Sequence, residues 1–385
     1  MSMSVNRYVD ACPKAMKIGP CGGVFSNGGC EIEPEVGCCF LDASRTAQIQ
    51  ADERDLLPVV AERERFAPAS RLKRTLDAGR FAFIAEVNGA DSADATDFVA
   101  AARVVAEVAD IVSITDHSGA NVHMGNIAAV AHLRAAGIDI MPTFACRDRN
   151  RMALQGDLLG AASLGVQNAL LVTGNHVRVG DSPDAKPVFD VDSPRLLAIA
   201  DRLRRYGEYD NGRKVDAKPD LYLGSVAHPF APPLHDRPRQ LMRKVRAGAD
   251  FIISQHIFDL PRWREFLAQV NVLRADAAPF HLLGGVAILP DERTARMINA
   301  GLRGFSIPEE LFTRLRQAVD PQDEGLEIAA ETLRELVDAE GVAGCLVAPV
   351  TGRQNALVAS VEQHELILEV RRRAGIPVVE RSAAA

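Results

Sequence analysis

From Phe81 onward, short apolar runs alternate with longer segments in which apolar residues recur every three or four positions. FAFIAEV begins at Phe81, DIVSIT at Asp110, DIMPTFA at Asp139 and NALLVTG at Asn168, so the onsets are evenly spaced by 29 residues. Between them, segments such as DATDFVAAARVVAEV and NIAAVAHLRAA carry the helical period. A short apolar strand followed by an amphipathic helix is the sequence form of a βα unit. LYLGSVA from Leu221, FIISQ from Phe251, FHLLGGV from Phe280 and CLVAPV from Cys345 continue the pattern less evenly and bring the strands to eight. AAGID, SLGVQN, RAGAD and EGVAG each place a glycine where a helix has to stop in the left-handed conformation before the next strand. The prediction is an α/β chain whose residues 79–385 form a (β/α)8 TIM barrel. A doubly wound sheet is the competing architecture, but the chain has neither G-x-G-x-x-G nor G-x-x-x-x-G-K-[ST].

The first 45 residues break this pattern. Five of the seven cysteines, Cys12, Cys21, Cys30, Cys38 and Cys39, lie here, separated by eight, eight and seven residues before the final adjacent pair. Gly19, Gly22, Gly23, Gly28 and Gly29 permit tight turns around them, and Pro13 and Pro20 stiffen those turns. So short a segment, poor in aliphatic residues, cannot hold itself together by burial, so a metal would serve as its core. The expectation is a cysteine-rich metal-binding module over 1–45, with either Cys38 or Cys39 as the fourth ligand. Zinc and an iron-sulfur cluster both accept four thiolates, and these spacings match neither the common zinc-finger nor the common ferredoxin pattern. The bland alternative is a loose arm with incidental cysteines. Residues 46–78, polar and with apolar residues at roughly helical spacing, predict a helical linker.

Composition narrows the function classes. The 385 residues are 47% hydrophobic, enough for a large core, and the net charge of −7 argues against a general nucleic-acid or anionic-membrane binder. Arginine runs at 202–205 and 371–373 fall in helical patterns and read as solvated faces. No apolar run reaches the length of a membrane span, and MSMSVNRYVD lacks the apolar core of a signal peptide. A cytoplasmic protein is expected, and in that reducing setting clustered cysteines read as metal ligands before disulfides.

A barrel of this kind places its chemistry at the C-terminal ends of its strands. The polar residues there are Glu86, Thr115 with Asp116, Cys146 with Arg147 and Asp148, Asn175 with His176, His228, and Gln255 with His256. Glu86 directly ends FAFIA, where desolvation would raise its pKa and suit it to donate a proton near neutrality. A plain structural ion pair is the competing role. Gln255 offers a donor and an acceptor to a planar heterocycle. Cys146 reads as a buried strand cysteine rather than a nucleophile, and the histidines show no paired metal-ligand spacing.

With these residues in view, the chain from about Phe81 to its C-terminus resembles the methylenetetrahydrofolate reductase family, flavin-dependent barrels of one-carbon metabolism. The resemblance rests on Glu86 ending the first strand, SIT at 113–115, CRDRN at 146–150 followed by LLGAASLGVQNALLVTG, AKPVFDVDS at 185–193, RKVRAGADFIISQ at 243–255 and LPD at 289–291. The opening stretch resembles a cysteine-rich domain fused to, or made beside, the reductase in some bacteria and associated there with a metal site. The resemblance implies that Glu86 is the acid that protonates the folate as its methylene bridge opens. It implies that Gln255 contacts the pterin and that Thr115, Gly174 and Lys244 contact FAD, Lys244 at phosphate. It further implies that NAD(P)H reduces the flavin before a tetrahydrofolate derivative takes the hydride, with methionine biosynthesis as the setting.

Three departures accompany the resemblance. The family reads Gly-Asp where this chain reads Gly174-Asn175; Thr143 and Thr173 stand where well-known members carry histidine and arginine; and His228 stands at a tyrosine position near the flavin. Losing the aspartate removes a charge able to stabilise a cationic iminium, a difference on the order of 2–4 kcal/mol in a dry site if nothing replaces it. Asp116, Asp148 or a substrate charge could compensate, leaving an ordinary reductase; the other reading is a relative adapted to oxidise methyltetrahydrofolate, to another folate reaction, or to a weakly held flavin. A different class of function is an electron-relay subunit that docks a redox partner protein through the cysteine module. A homo-oligomer is compatible with an exposed helical barrel bearing an N-terminal arm.

Overall fold

The computed structural model describes residues 12–42, 70–301, 304, 306–349 and 356–377. Eight parallel strands close into a barrel in chain order: β1 (Ala82–Val87), β2 (Ile111–Ile114), β3 (Ile140–Ala145), β4 (Asn168–Val172), β5 (Tyr222–Ala227), β6 (Phe251–His256), β7 (His281–Ile288) and β8 (Val342–Pro349). β8 returns to β1, with Phe83 opposite Cys345. Each predicted apolar run is one of these strands. The glycines expected to stop helices, Gly137, Gly165, Gly248 and Gly341, have φ of +76°, +82°, +130° and +89°.

Side chains on a strand alternate between its two faces, and that alternation divides the core in two. Phe83, Ala85 and Val87 of β1 pack outward beneath the helices, as do Val112, Phe144 and Leu171. Ala82 and Ile84 point into the barrel, where they meet Ile111, Met141, Leu170, Phe251, Ile253 and Leu346. Continued one step toward the C-terminal end, the same period turns Glu86, Thr115, Thr143 and Gln255 inward.

Helix α1 (Arg71–Asp77) caps the opposite end. Ser70 accepts the Lys73 amide at its start, and Leu72 and Leu76 join the barrel's inner cluster. This short helix is the described portion of the predicted linker, and 43–69 lie outside the described residues. Ordinary strand-to-strand helices follow, with α2 (Thr96–Ala106) after β1, α3 (Asn126–Ala135) after β2 and α4 (Arg151–Ser163) after β3. After β4 comes α5 (Ser193–Tyr206), after β5 α6 (Arg237–Ala247) and after β6 α7 (Leu260–Arg274). Between β7 and β8 the chain makes three, α8 (Glu292–Gly301), α9 (Glu309–Gln317) and α10 (Pro321–Asp338), and α11 (Ala356–Arg373) follows β8. Among the described residues no helix is long and apolar enough to cross a membrane.

Residues 12–42 form a loop-built module with two isolated bridges, Val24 to Cys30 and Gly29 to Gly37, and one 3-10 turn at Cys39–Leu41. Its apolar centre is small, Met16 and Phe40 packed by Cys12, Cys21, Cys38 and Cys39. Ile18 leaves that centre and enters the barrel's own core.

Candidate active site

The strand ends open into a cavity of about 320 Å³. Glu86, Thr115, Thr143, Thr173, Gly174, Asn175, His228, Lys244 and Gln255, all nominated from sequence, line this one cavity. The period of the strands explains why: the inward face is apolar in the middle of the barrel and turns polar where the strands end.

Glu86 is set apart chemically. Burial pushes its carboxyl up to about 7, and no hydrogen-bond or ion-pair partner faces that carboxyl among the described residues. Among the described residues the only other acid lining the cavity, Asp116, pairs with Arg149 and accepts the Ala145 amide at 2.8 Å. Asp148, the other candidate replacement for a carboxylate at Asn175, is held by Arg147 at 2.7 Å. Both charges are thus committed to arginines, and Asn175 has no substitute carboxylate among them.

Lys244 donates to the Val226 carbonyl at 2.5 Å. Burial, reinforced by the nearby Arg237, lowers it to about 8. No carboxylate pairs with it among the described residues, which suits it to an anionic group. His228 is held neutral, its pKa driven well below the ordinary value by burial and then by Lys244. Burial likewise lowers His256, another cavity-lining residue, to about 4. His176 lies outside the cavity, stacked on Phe189 and accepting the Arg178 amide. Cys146 is fully buried, its thiol raised well above the ordinary range by burial, as a core cysteine should be.

Sequence reasoning missed one wall of the site. Lys14, Met16, Cys21, Gly22 and Gly23 of the module line the same cavity. The module is stitched to the ends of β4 and β5. The Lys17 and Ile18 amides donate to Asp192 at 3.2 and 3.1 Å, and Asp192 also caps α5 by accepting the Arg195 amide. Arg237, at the start of α6, donates to the carbonyls of Pro20 and Cys21 at 3.3 and 3.0 Å, and Gln240 also donates to Pro20. Gly22 lies so close that a Cβ there would come within 2.3 Å of the His228 ring. These contacts join residues far apart in sequence, and no local pattern announces them.

The expected four-thiolate site is not formed. All five module cysteines line a second, small cavity of about 30 Å³, yet among the described residues no three His, Cys, Asp or Glu side chains are placed to hold a metal. The arrangement of the sulfurs accounts for this. Cys12 and Cys38 are each hydrogen-bonded with Cys39, which lowers them to about 6 and about 7 despite their burial. Cys21 packs on the same Met16 and Phe40 centre, and burial raises its thiol to about 11. The residues as they stand do not fit a tetrahedral ion.

For FAD the donor set does fit: a buried lysine without a carboxylate partner, three threonine hydroxyls, and the close-approach glycine Gly174 at φ +89°.

A family model described as Methylenetetrahydrofolate reductase matches residues 71–348. The chain belongs to the methylenetetrahydrofolate reductase family. A second family model, described as Methylene-tetrahydrofolate reductase C terminal, matches residues 4–65 and so covers the cysteine module. No curated protein matches the sequence. Among solved structures, an uncharacterised protein from Clostridium thermocellum that binds two copies of 5-methyl-5,6,7,8-tetrahydrofolic acid is 15% identical with a TM-score of 0.54, over 77% of this chain and 99% of its own. It shares the fold of this reductase-family chain. A riboflavin lyase structure is 13% identical with a TM-score of 0.45, over 78% of this chain and 94% of its own. A tryptophan synthase structure from M. tuberculosis is 14% identical with a TM-score of 0.43, over 80% of this chain and all of its own.

Proposed function

We propose that this protein moves a hydride to or from the one-carbon bridge of a tetrahydrofolate, interconverting the 5,10-methylene and 5-methyl forms, with Glu86 as its proton donor. The observation that carries this reading is Glu86 itself: an inward carboxyl at the end of β1, raised to about 7 by burial and without a partner among the described residues. Near neutrality about half of such a group is protonated, matching its driving force to proton transfer. In the reductive direction Glu86 gives its proton to the folate nitrogen as the methylene bridge opens to an iminium, and Gln255 orients the pterin through its paired donor and acceptor. Asn175 keeps the hydrogen-bonding shape of an aspartate without its charge. Lys244, Thr115, Thr143, Thr173, Gly174 and His228 would hold FAD, which when bound supplies the hydride. The neutral state of His228 suits contact with an uncharged ring, and Lys244 remains the cation available to phosphate.

The substitutions at Thr143, Thr173 and Asn175 favour a second reading, a folate-binding protein of the same family without flavin. One experiment separates the two. The protein, purified without oxygen and supplied with FAD, is mixed with 5-methyltetrahydrofolate while its visible spectrum is recorded. Bleaching of the flavin bands supports hydride transfer; folate binding with no retained flavin supports the second reading. Retained flavin that responds neither to the folate nor to NADH or NADPH sinks the proposal.

A further inference from the structure

The turn that follows β4 carries Gly174 and Asn175 into the cavity, and two cations from different parts of the chain hold it. Arg147, at the end of β3, reaches the Asn175 carbonyl at 3.5 Å. Lys14, in the cysteine module, donates to the Gly174 carbonyl at 3.0 Å across 160 positions of sequence. The Lys14 side chain is 5% exposed, and its other partner is the buried Glu31. Together with Cys21 and Gly23 it lines both the active-site cavity and the cysteine cavity.

We infer that Lys14 is a positioning residue of the barrel's site, supplied by the module, which fixes the Gly174–Asn175 peptide so that the Asn175 amide is presented to the bound heterocycle. A trans peptide is planar, with its C=O and N–H on opposite sides, so anchoring the Gly174 oxygen also sets the direction of the Asn175 N–H. That N–H has no acceptor among the described residues, and Asn175 lines the cavity. Its natural partner is a ring carbonyl or ring nitrogen of a flavin or pterin. Gly174 at φ +89° lies in a region that gives little resistance to rotation about glycine, so the turn depends on external anchors for its orientation. Lys14 acts through this peptide and touches no reacting atom.

This inference rests on the functional reading above, and its test has a readout that does not. Lys14→Met alone would leave Glu31 buried without a counter-charge, so the deletion variant is the double Lys14→Met/Glu31→Gln, and Lys14→Arg is the conservative one. Hydrogen exchange in the full-length protein is followed in the segment 173–180, where the amides of Arg178, Val179 and Gly180 bond within the turn. The KM and kcat for 5-methyltetrahydrofolate are measured alongside. The double variant is expected to exchange at least tenfold faster in 173–180, with β6 and β7 unchanged. Its KM should rise about tenfold while kcat changes less than threefold, and Lys14→Arg should fall between it and wild type. Exchange and KM equal to wild type in a variant whose module remains protected overturn the inference. Should the double variant lose protection across 12–42, Lys14→Arg decides on the same readouts, wild-type values overturning the inference. A wild-type protein without folate turnover would refute the functional reading, and exchange in 173–180 would then decide the role of Lys14.

Discussion

At the scale of single residues, the chemistry centres on one carboxyl and one amide. Glu86→Gln keeps the shape of the acid and removes its proton; turnover should fall on the order of 10²–10⁴-fold while folate and flavin remain bound, as checked by steady-state kinetics beside a binding titration. The wild-type rate of the proton-donating direction should fall as pH rises through about 7, where the carboxyl empties. Stability follows the same group. Its pKa is 4.5 when free and about 7 when folded, so the folded chain binds the proton more tightly. The stability drawn from this group is complete below pH 4.5 and is lost as pH rises through 7. Urea melts at pH 4 and pH 8 should therefore show Glu86→Gln gaining roughly 3 kcal/mol relative to wild type across that interval. Asn175→Asp tests the missing charge. With Asp116 and Asp148 both occupied by arginines, the new carboxylate should raise the rate of methylenetetrahydrofolate reduction, and an unchanged rate would show that the site does not need it.

At the scale of elements, strands and sites differed in how far the sequence disclosed them. The barrel was readable because its determinants are local: a strand's apolar run, a helix's period and the glycine between them lie within one repeat. The inward residues were readable for the same reason, since alternation along FAFIAE places Glu86 on the face of Ala82 and Ile84. The module's position was not. Lys14, Asp192, Arg237 and Gln240 are ordinary polar residues in sequence, and their meeting depends on β4 and β5 being brought beside residues 14–23. The cysteine spacing suggested that the sulfurs gather, and all five line one small cavity; spacing constrains reach but not side-chain direction, and among the described residues no three of them stand ready to hold an ion. Asp192 joins both stories, capping α5 and holding two module amides. Asp192→Ala should cost about 1–3 kcal/mol in thermal unfolding and make Lys14 and Lys17 markedly more sensitive to trypsin. The sulfurs offer a further check: brief alkylation at pH 7.5 should modify Cys12 and Cys38 well before Cys21, Cys146 and Cys345, as read by peptide mass spectrometry. Joint protection of Cys12, Cys21 and Cys38 would instead reveal an ion among them.

At the scale of the whole molecule, a closed barrel is plugged at one end by α1 and partly roofed at the other by a loop-built module. The plug is apolar and belongs to the inner core, whereas the roof is held chiefly by hydrogen bonds from buried arginine, glutamine and lysine side chains to backbone carbonyls. Such a roof tolerates little added bulk. Gly22→Val would force the module away from His228, and the expected result is a loss of about 1–3 kcal/mol with weakened ligand binding. The order in which the chain is made adds a consequence. Pro20 and its partner Gln240 are 220 positions apart, so at about 5–20 residues per second the module leaves the ribosome roughly 10–45 s before the helix that fastens it. Five thiols therefore meet the surrounding solution before the barrel that will shelter them exists. Whatever metal loading, oxidation or chaperone binding they undergo in that interval precedes the assembly of the pocket they later enclose.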